Sequence, residues 1–283
     1  MIQIPILGAL ALAGGTILEK VVLRKRKIDI KLYQVLSFLA IVSVMVPFIY
    51  FFWRVDTGAL QLKNIIIFGL VVLFSVLANI LTFYSIKWEK ITNIEPAKMM
   101  EPLFVILLAI IFSFFVEGLY DRNTNIIIPA LLAACALIFS HIRKHHLKFN
   151  KYFIAAIIGS LFFALELVIS RLILDFYSPL SFYFIRCLSI AFISLIVFHP
   201  KLSGLDKKIK GKIFLIAVIW VIYRMIIYYG YLTLGVIFTT LILMIGPVFI
   251  YLFAWKFLKE KLDWRNIVAA IIILGSVLYA LLT

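Results

Sequence analysis

Five charged side chains lie deep inside long apolar stretches of the sequence: Lys98, Glu101, Glu166, Arg186 and Arg224. A charge within a membrane is energetically costly, so such residues are functional hypotheses by default. Lysine and arginine pair with anionic groups, whereas carboxylates take protons or cations. We therefore assign these five as substrate-binding residues, with Glu101 and Glu166 as the proton or cation sites. The alternative is a permanent charge-balanced network that fixes helix packing.

The densest group is Glu95, Lys98 and Glu101, spaced so that Lys98 reaches either acid on one helix. Pro96 and Pro102 flank the group, and we expect both to kink the helix. Pro102 has no N–H to donate to the carbonyl of Lys98. A free carbonyl at membrane depth is tolerated only against protein or a water-filled cavity. The pattern predicts the wet, kinked wall of a translocation path; a local ion pair packed against other helices is the alternative.

Aromatic side chains surround one of the deep charges. Trp220 and Tyr223 precede Arg224 on the same apolar stretch, and we expect both rings to face a cavity. Such rings line amphipathic cavities and hold organic cations by cation–π contact. Asn79 occupies the position of Arg224 in the first half of the chain and completes the substrate-binding set. An interfacial belt is expected instead for three tyrosines near the end of the stretch: Tyr228, Tyr229 and Tyr231.

The remaining polar residues form no catalytic or metal-binding pattern. Charged residues nearer the ends of apolar stretches can reach water through their long side chains: Glu19, Lys20, Glu95 and Arg171. Loop histidines lack the acids or cysteines of a metal site: His141, His145 and His146. The sequence contains no phosphate-binding loop, no zinc-protease motif and no nucleophile elbow. We expect no enzyme activity, no metal and no cofactor.

Long apolar helices must position these residues. The chain of 283 residues is 65% hydrophobic and 14% charged, whereas a soluble domain is about half apolar and a quarter charged. A helix crosses the membrane core in about 20 residues. Ten segments meet this length: 2–22, 32–52, 64–86, 92–115, 125–141, 152–174, 179–198, 211–230, 236–256 and 265–282. The fold class is therefore an all-α membrane protein with ten transmembrane helices.

The two halves of the chain, residues 1–148 and 149–283, repeat one pattern. Tyr84 and Pro102 recur 145 residues later as Tyr229 and Pro247, and a Glu-x-Leu-x-x-Arg-Asn loop follows each proline. Each half holds five helices. Because five is odd, the second half enters the membrane with the opposite orientation. The sequence thus predicts two inverted five-helix repeats, with Pro247 as a third helix kink and a site between the repeats.

These features resemble the drug/metabolite transporter superfamily, in particular its EamA-like branch with ten helices. The residues that carry the resemblance are Glu101-Pro102 with Glu117-Gly118-Leu119 in the first half, and Gly246-Pro247 with Glu260-Lys261-Leu262 and Gly275 in the second. The resemblance implies a transporter and leaves the solute open. It also implies that both termini lie inside the cell.

The charge distribution predicts the opposite orientation. The loops after helices 1, 3, 5, 7 and 9 carry 20 lysines and arginines, whereas the other face carries Arg54, Lys63 and Arg122. Basic loops stay in the cytoplasm, which places both termini outside. The net charge of +15 therefore reflects topology and anionic headgroups, and no nucleic-acid partner is expected.

The functional expectation is a secondary transporter that moves a small polar or charged metabolite, such as an amino acid or amine, by alternating access. Its partners would be the solute, a coupling proton or Na⁺, and membrane lipids of the plasma membrane, with a monomer or homodimer as the assembly. Alternatives are a flippase or scramblase of a charged lipid headgroup, a drug exporter, and a non-transporting scaffold. A lipid path predicts a groove open sideways to the membrane and lined by Lys98, Arg186 and Arg224.

Overall fold

The computed structural model describes residues 3–23, 28–89, 91–116, 118–120, 122–141, 150–200, 206–249 and 264–283. Within these ranges the chain is helical apart from short loops, and it forms no β-strand. The helices are α1 (Gln3–Leu23), α2 (Ile30–Phe52), α3 (Leu62–Trp88), α4 (Ile91–Lys98), α5 (Met100–Ser113), α6 (Thr124–His141), α7 (Lys151–Arg171), α8 (Pro179–Phe198), α9 (Lys207–Thr233), α10 (Val236–Leu243), α11 (245–249) and α12 (Trp264–Leu282).

The helices are long and apolar enough for a membrane protein. By length and composition, 7 stretches of the described residues could each cross a membrane, with α4 and α5 joined as one. The helix α1 has 21 residues, and Thr124–Ser140 and Val236–Phe249 are shorter apolar helices. Large apolar side chains such as Phe51, Phe115 and Leu278 face outward, as a lipid-facing surface requires. The all-α prediction is confirmed, and the helices agree with ten spans.

Two of the spans are broken at equivalent positions. Helix α4 ends at Lys98 and α5 begins at Met100, with Met99 between them. In the second half Met244, 145 residues later, separates α10 from α11. Each break lies three residues before a proline, Pro102 or Pro247, whose missing N–H leaves one carbonyl of the preceding turn free. Pro96 lies inside α4 without ending it.

The helices pack in a pattern that is symmetric between the halves. Helix α1 packs along α9, and the equivalent pair is α3 with α7. Helix α2 packs along α8, α5 against α10, and α6 along α12, so each of these pairs joins equivalent spans of the two halves. The interior between the halves is thus enclosed by elements of both. The opposite orientation of the second repeat stays a prediction.

The side of the membrane on which the chain ends can be tested by cysteine labelling. We expect Thr283→Cys, in a chain with Cys135 and Cys187 replaced by alanine, to react with a membrane-impermeant maleimide in intact cells, because the basic loops place this end outside. Lys207→Cys, at the start of α9 on the basic face, is the matched control and should react only after permeabilisation. The reverse pattern would place both termini in the cytoplasm.

Candidate functional site

A buried ionic cluster joins three helices of the second half. Glu166 on α7 accepts a hydrogen bond from the guanidinium of Arg186 on α8 through Oε1. Its other oxygen, Oε2, lies 3.0 Å from Nη1 of Arg224 on α9. The side chains are 0%, 2% and 8% exposed for Glu166, Arg186 and Arg224. The Arg224 contact lacks hydrogen-bond alignment, so it is an ion pair rather than a hydrogen bond.

Tyrosines complete this cluster. The hydroxyl of Tyr228 donates to Glu166 Oε1 over 3.0 Å and accepts from Arg186. The guanidinium of Arg186 also lies 5.0 Å from the ring centre of Tyr183. Tyr228 and Tyr231 are buried within the protein, so their rings face other helices rather than lipid, and their depth in the membrane stays a prediction. Tyr228 follows Arg224 by four residues on α9, so the two share a helix face, and this spacing was the missed signal.

Replacing Tyr228 by phenylalanine should destabilise the fold by about 1–3 kcal/mol, because the buried Arg186 and Glu166 lose a partner. The loss is measurable as a shift in the thermal unfolding of the purified protein in detergent. Tyr229→Phe is the matched control, since this ring is 40% exposed. Equal stability of the two variants would show that the hydroxyl of Tyr228 contributes nothing.

Two adjoining cavities lie in the interior between the halves. The first, here called the polar cavity, measures about 80 Å³. Seven of the eight predicted substrate-binding residues line it: Asn79, Lys98, Glu101, Arg186, Trp220, Tyr223 and Arg224. The eighth, Glu166, is fully buried behind the wall, hydrogen-bonded to Arg186 and ion-paired with Arg224. The structure thus brings the whole predicted set together.

The second cavity, here called the apolar cavity, measures about 150 Å³ and lies where the two broken helices meet. Both breaks contribute to its wall, through Met99 and Pro102 on one side and Met244 and Pro247 on the other. Pro96 lines neither cavity. The side chains of Glu95 and His141, and all of His145 and His146, lie outside the described part of the chain. The two cavities share four lining residues: Leu12, Lys98, Glu101 and Tyr223.

Glu19 on α1 also lines the polar cavity. The sequence analysis had placed this residue among those near helix ends. It is only 5% exposed. Its Oε1 accepts hydrogen bonds from Trp220 Nε1 over 3.0 Å and from the hydroxyl of Tyr33 over 3.4 Å. The neighbouring Lys20 instead donates to main-chain carbonyls at the end of α3. The sequence carried no signal for this position, because Trp220 and Tyr33 reach Glu19 through helix packing.

The charges in this region alternate in sign. Beyond the Glu166 cluster, Glu101 interacts electrostatically with Arg224 and with Lys98. Lys98 interacts in turn with Glu19. The order of the whole chain of charges, here called the charge chain, is Arg186, Glu166, Arg224, Glu101, Lys98 and Glu19. It runs from α8 to α1 and balances three cations against three carboxylates.

The two halves differ where the broken helices meet. A side chain at Gly246 would place its Cβ 3.1 Å from the carbonyl oxygen of Ala9, so α11 approaches the backbone of α1 closely. The equivalent residue of the first half is Glu101, which projects into both cavities. Asn79, the counterpart of Arg224, donates to the carbonyl of Ser75 on its own helix. The polar cavity is therefore asymmetric, because most of its charged residues are not among the residues that the two halves share.

A third, more open space lies among the loops on the face opposite the basic loops. This loop recess measures about 560 Å³ and is lined by Arg122, Arg171 and Tyr120 together with residues 231–235. Arg171 pairs with Asp175 over 2.7 Å. The hydroxyl of Tyr120 donates to the carbonyl of Val168 over 2.8 Å, and burial raises the pKa of this tyrosine. Tyr231 lines both the recess and the apolar cavity.

A lateral groove of about 640 Å³ opens toward the lipid between α2, α8 and α9. Apolar side chains dominate its lining, among them Phe48, Phe52, Val218 and Ile222. None of the basic residues expected in a lipid-headgroup path lines it. No group of three or more histidine, cysteine or acidic side chains suited to a metal ion occurs among the described residues.

The described residues form a helical protein with long apolar helices and a charged cavity enclosed between two halves. Residues 150–282 match the family model of the EamA-like transporter family. The match confirms, for the second half of the chain, the resemblance to the drug/metabolite transporter superfamily that the motifs predicted, and it supports a multi-pass integral membrane protein. The matched residues lie in the second half of the chain. The prediction that the first half is an equivalent repeat rests on the residues that the two halves share.

Solved structures share the fold. One crystal structure superposes with a TM-score of 0.69 over 99% of this chain and 96% of the other, at 17% sequence identity. This likeness bears on the fold alone. A search of curated proteins found no match to the sequence.

Proposed function

We propose that the protein is a secondary transporter that moves a small polar or charged organic metabolite by alternating access between two inverted five-helix repeats. The observation that carries the proposal is the charged cavity between the halves, next to the point where two broken helices meet. Broken helices at the midplane form the solute and ion sites of many secondary transporters. Their free backbone groups are tolerated where they border a cavity.

A path through the molecule supports the proposal. The loop recess and the apolar cavity share Tyr231, and the apolar and polar cavities share Lys98 and Glu101. The three spaces therefore follow one another from the loop face into the interior. The two inner ones are small, as in a conformation closed around the site. Motion of one repeat against the other would open them to each side in turn.

The lining favours a solute with a charged group. The guanidinium of Arg224 lines the polar cavity and is paired with Glu166 without hydrogen-bond alignment, so an anionic group of the solute could compete for it. Glu101 would hold an amine through its carboxylate, and the rings of Trp220 and Tyr223 would hold it through cation–π contact. An amino acid or amine fits this arrangement, with its apolar part in the apolar cavity.

Glu101 is proposed as a site for a coupling proton or Na⁺. It lines both inner cavities and stands between Arg224 and Lys98 in the charge chain. Glu166 is less suited to this role, because two arginines contact its carboxylate. Taking up a cation there would require one of them to leave.

A drug exporter is the second candidate, favoured by the apolar cavity at the helix breaks. A lipid flippase or scramblase is less well supported, because the lateral groove is lined without Lys98, Arg186 or Arg224. Vesicles with fluorescent lipids would show lipid movement directly.

Uptake into proteoliposomes tests the proposal. We expect accumulation of amino acids or amines from a solute panel, and loss of most of that uptake in Glu101→Gln, because the cavity loses a carboxylate. Asp56→Asn, in an exposed loop, is the control and should transport normally. Movement of hydrophobic cations alone, with full activity in Glu101→Gln, would contradict the proposed solute class.

A further inference from the structure

We infer that Glu19 is a proton-binding site in addition to the coupling site proposed at Glu101, and that protonation of Glu19 couples solute movement to a proton gradient. The coupling role rests on the proposed transport function, whereas proton binding does not. Glu19 lies on α1, which packs against α9 of the other half. A charge change there would therefore act at the interface between the halves.

The surroundings of Glu19 suit a group that changes its charge. The carboxylate is buried, and within the described ranges its hydrogen-bond donors are the neutral groups of Trp220 and Tyr33. Among the described residues, no basic group forms an ion pair with it within 4.0 Å. Burial without a close counter-charge disfavours the ionised form of a carboxyl. Since Glu19 also lines the polar cavity, water can bring the proton.

The groups that face Glu19 come from three helices. Helix α2 contributes Tyr33, and α9 contributes Trp220. Helix α4 contributes Lys98, the cation that acts on Glu19 within the part of the chain that the structure describes. Helix α3 contributes the uncharged Asn79 and Thr82 to the same cavity. Lys20, next in sequence, bonds to the end of α3 instead.

Position in the charge chain distinguishes Glu19 from the other acids. Glu166 has two arginines, and Glu101 has Arg224 and Lys98, whereas Glu19 stands at the end with a single cation, Lys98, among the described residues. Glu19 is therefore the acid that can become neutral with the least loss of ion pairing. A proton from cavity water would add to a carboxylate oxygen of Glu19. Lys98 would then be free to act on Glu101 or on an anionic group of the solute.

Trp220 is a built-in reporter of this proton, because its indole N–H donates to the Glu19 carboxylate. We expect the tryptophan fluorescence of the purified protein to change in a single step as the pH is varied. Trp220→Phe should remove the step by removing the reporter. Glu19→Gln should remove it by removing the proton site, while its amide oxygen still accepts from Trp220. Asp56→Asn should keep it. Absence of the step in the unmodified protein, or its persistence in Glu19→Gln, would overturn proton binding.

The coupling is tested separately by flux. In proteoliposomes, a pH gradient should stimulate solute movement by the unmodified protein and lose that effect in Glu19→Gln. An unchanged gradient effect in Glu19→Gln would overturn the coupling. A protein that titrates as expected but moves no solute of the panel would contradict the proposed function instead, because the fluorescence step requires no transport.

Discussion

Replacing Glu166 by glutamine is expected to destabilise the folded protein by about 3–5 kcal/mol, because removal of one partner leaves buried charges uncompensated. Glu166 faces two arginines, and both are almost wholly shielded from solvent. The amide of glutamine has nearly the same size but no charge. Arg186 and Arg224 would then repel each other within the protein. The loss should appear as a lower midpoint of thermal or denaturant-induced unfolding in detergent.

A second variant separates charge from packing. Replacing Glu166, Arg186 and Arg224 together by leucine or methionine removes the whole cluster, and such replacements are often neutral or stabilising. We expect this triple variant to be more stable than Glu166→Gln and inactive in transport. Asp56→Asn, which removes an exposed carboxylate, should change stability by less than about 1 kcal/mol. Wild-type stability of Glu166→Gln would show that the cluster is not held by charge.

Replacing Arg224 by glutamine is expected to lower solute affinity by roughly 30-fold or more, since truncating a buried charged partner costs about 2 kcal/mol or more. Arg224 lines the polar cavity, and its ion pair with Glu166 is not an aligned hydrogen bond. Stability should fall less than in Glu166→Gln, because Arg186 still neutralises Glu166. The affinity is measured as the solute concentration that gives half-maximal uptake.

The matched control for this variant is Arg54→Gln, which removes an exposed arginine paired with Asp56 in a loop. Its uptake should equal that of the unmodified protein. Equal affinity of Arg224→Gln and Arg54→Gln would mean that Arg224 only fixes helix packing, as the charge-balanced alternative supposes.

Much of the fold could be predicted because a membrane-spanning helix is recognised by the length of its apolar stretch. The predicted spans correspond to the observed helices within a few residues at most ends. The missing N–H of Pro102 indicated a disturbed helix, but not that α4 would end at Lys98. The equivalent break at Met244 was not predicted from the sequence, and its equivalence appears only when the two breaks are compared in the structure. The orientation of the second repeat and the side of the termini depend on the membrane and remain predictions.

The candidate site was predictable in part for the same energetic reason. Charges such as Lys98 and Arg224 are so costly within a membrane that their position marks the interior, and they line one cavity. The partners were not predictable, because Glu166 meets its arginines through helix packing rather than spacing. Glu19 was missed because its position near the end of a helix does not show whether other helices bury that end.

Cysteine accessibility at Leu12 tests the central claim most directly, because this residue lines both inner cavities. In a chain with Cys135 and Cys187 replaced by alanine, Leu12→Cys should react with a small membrane-impermeant thiol reagent added from either side of the membrane. Leu278→Cys, on the lipid-facing surface, should react from neither side. Reaction of Leu12→Cys from both sides is the result that alternating access predicts. Reaction from one side only, or from neither, would contradict it.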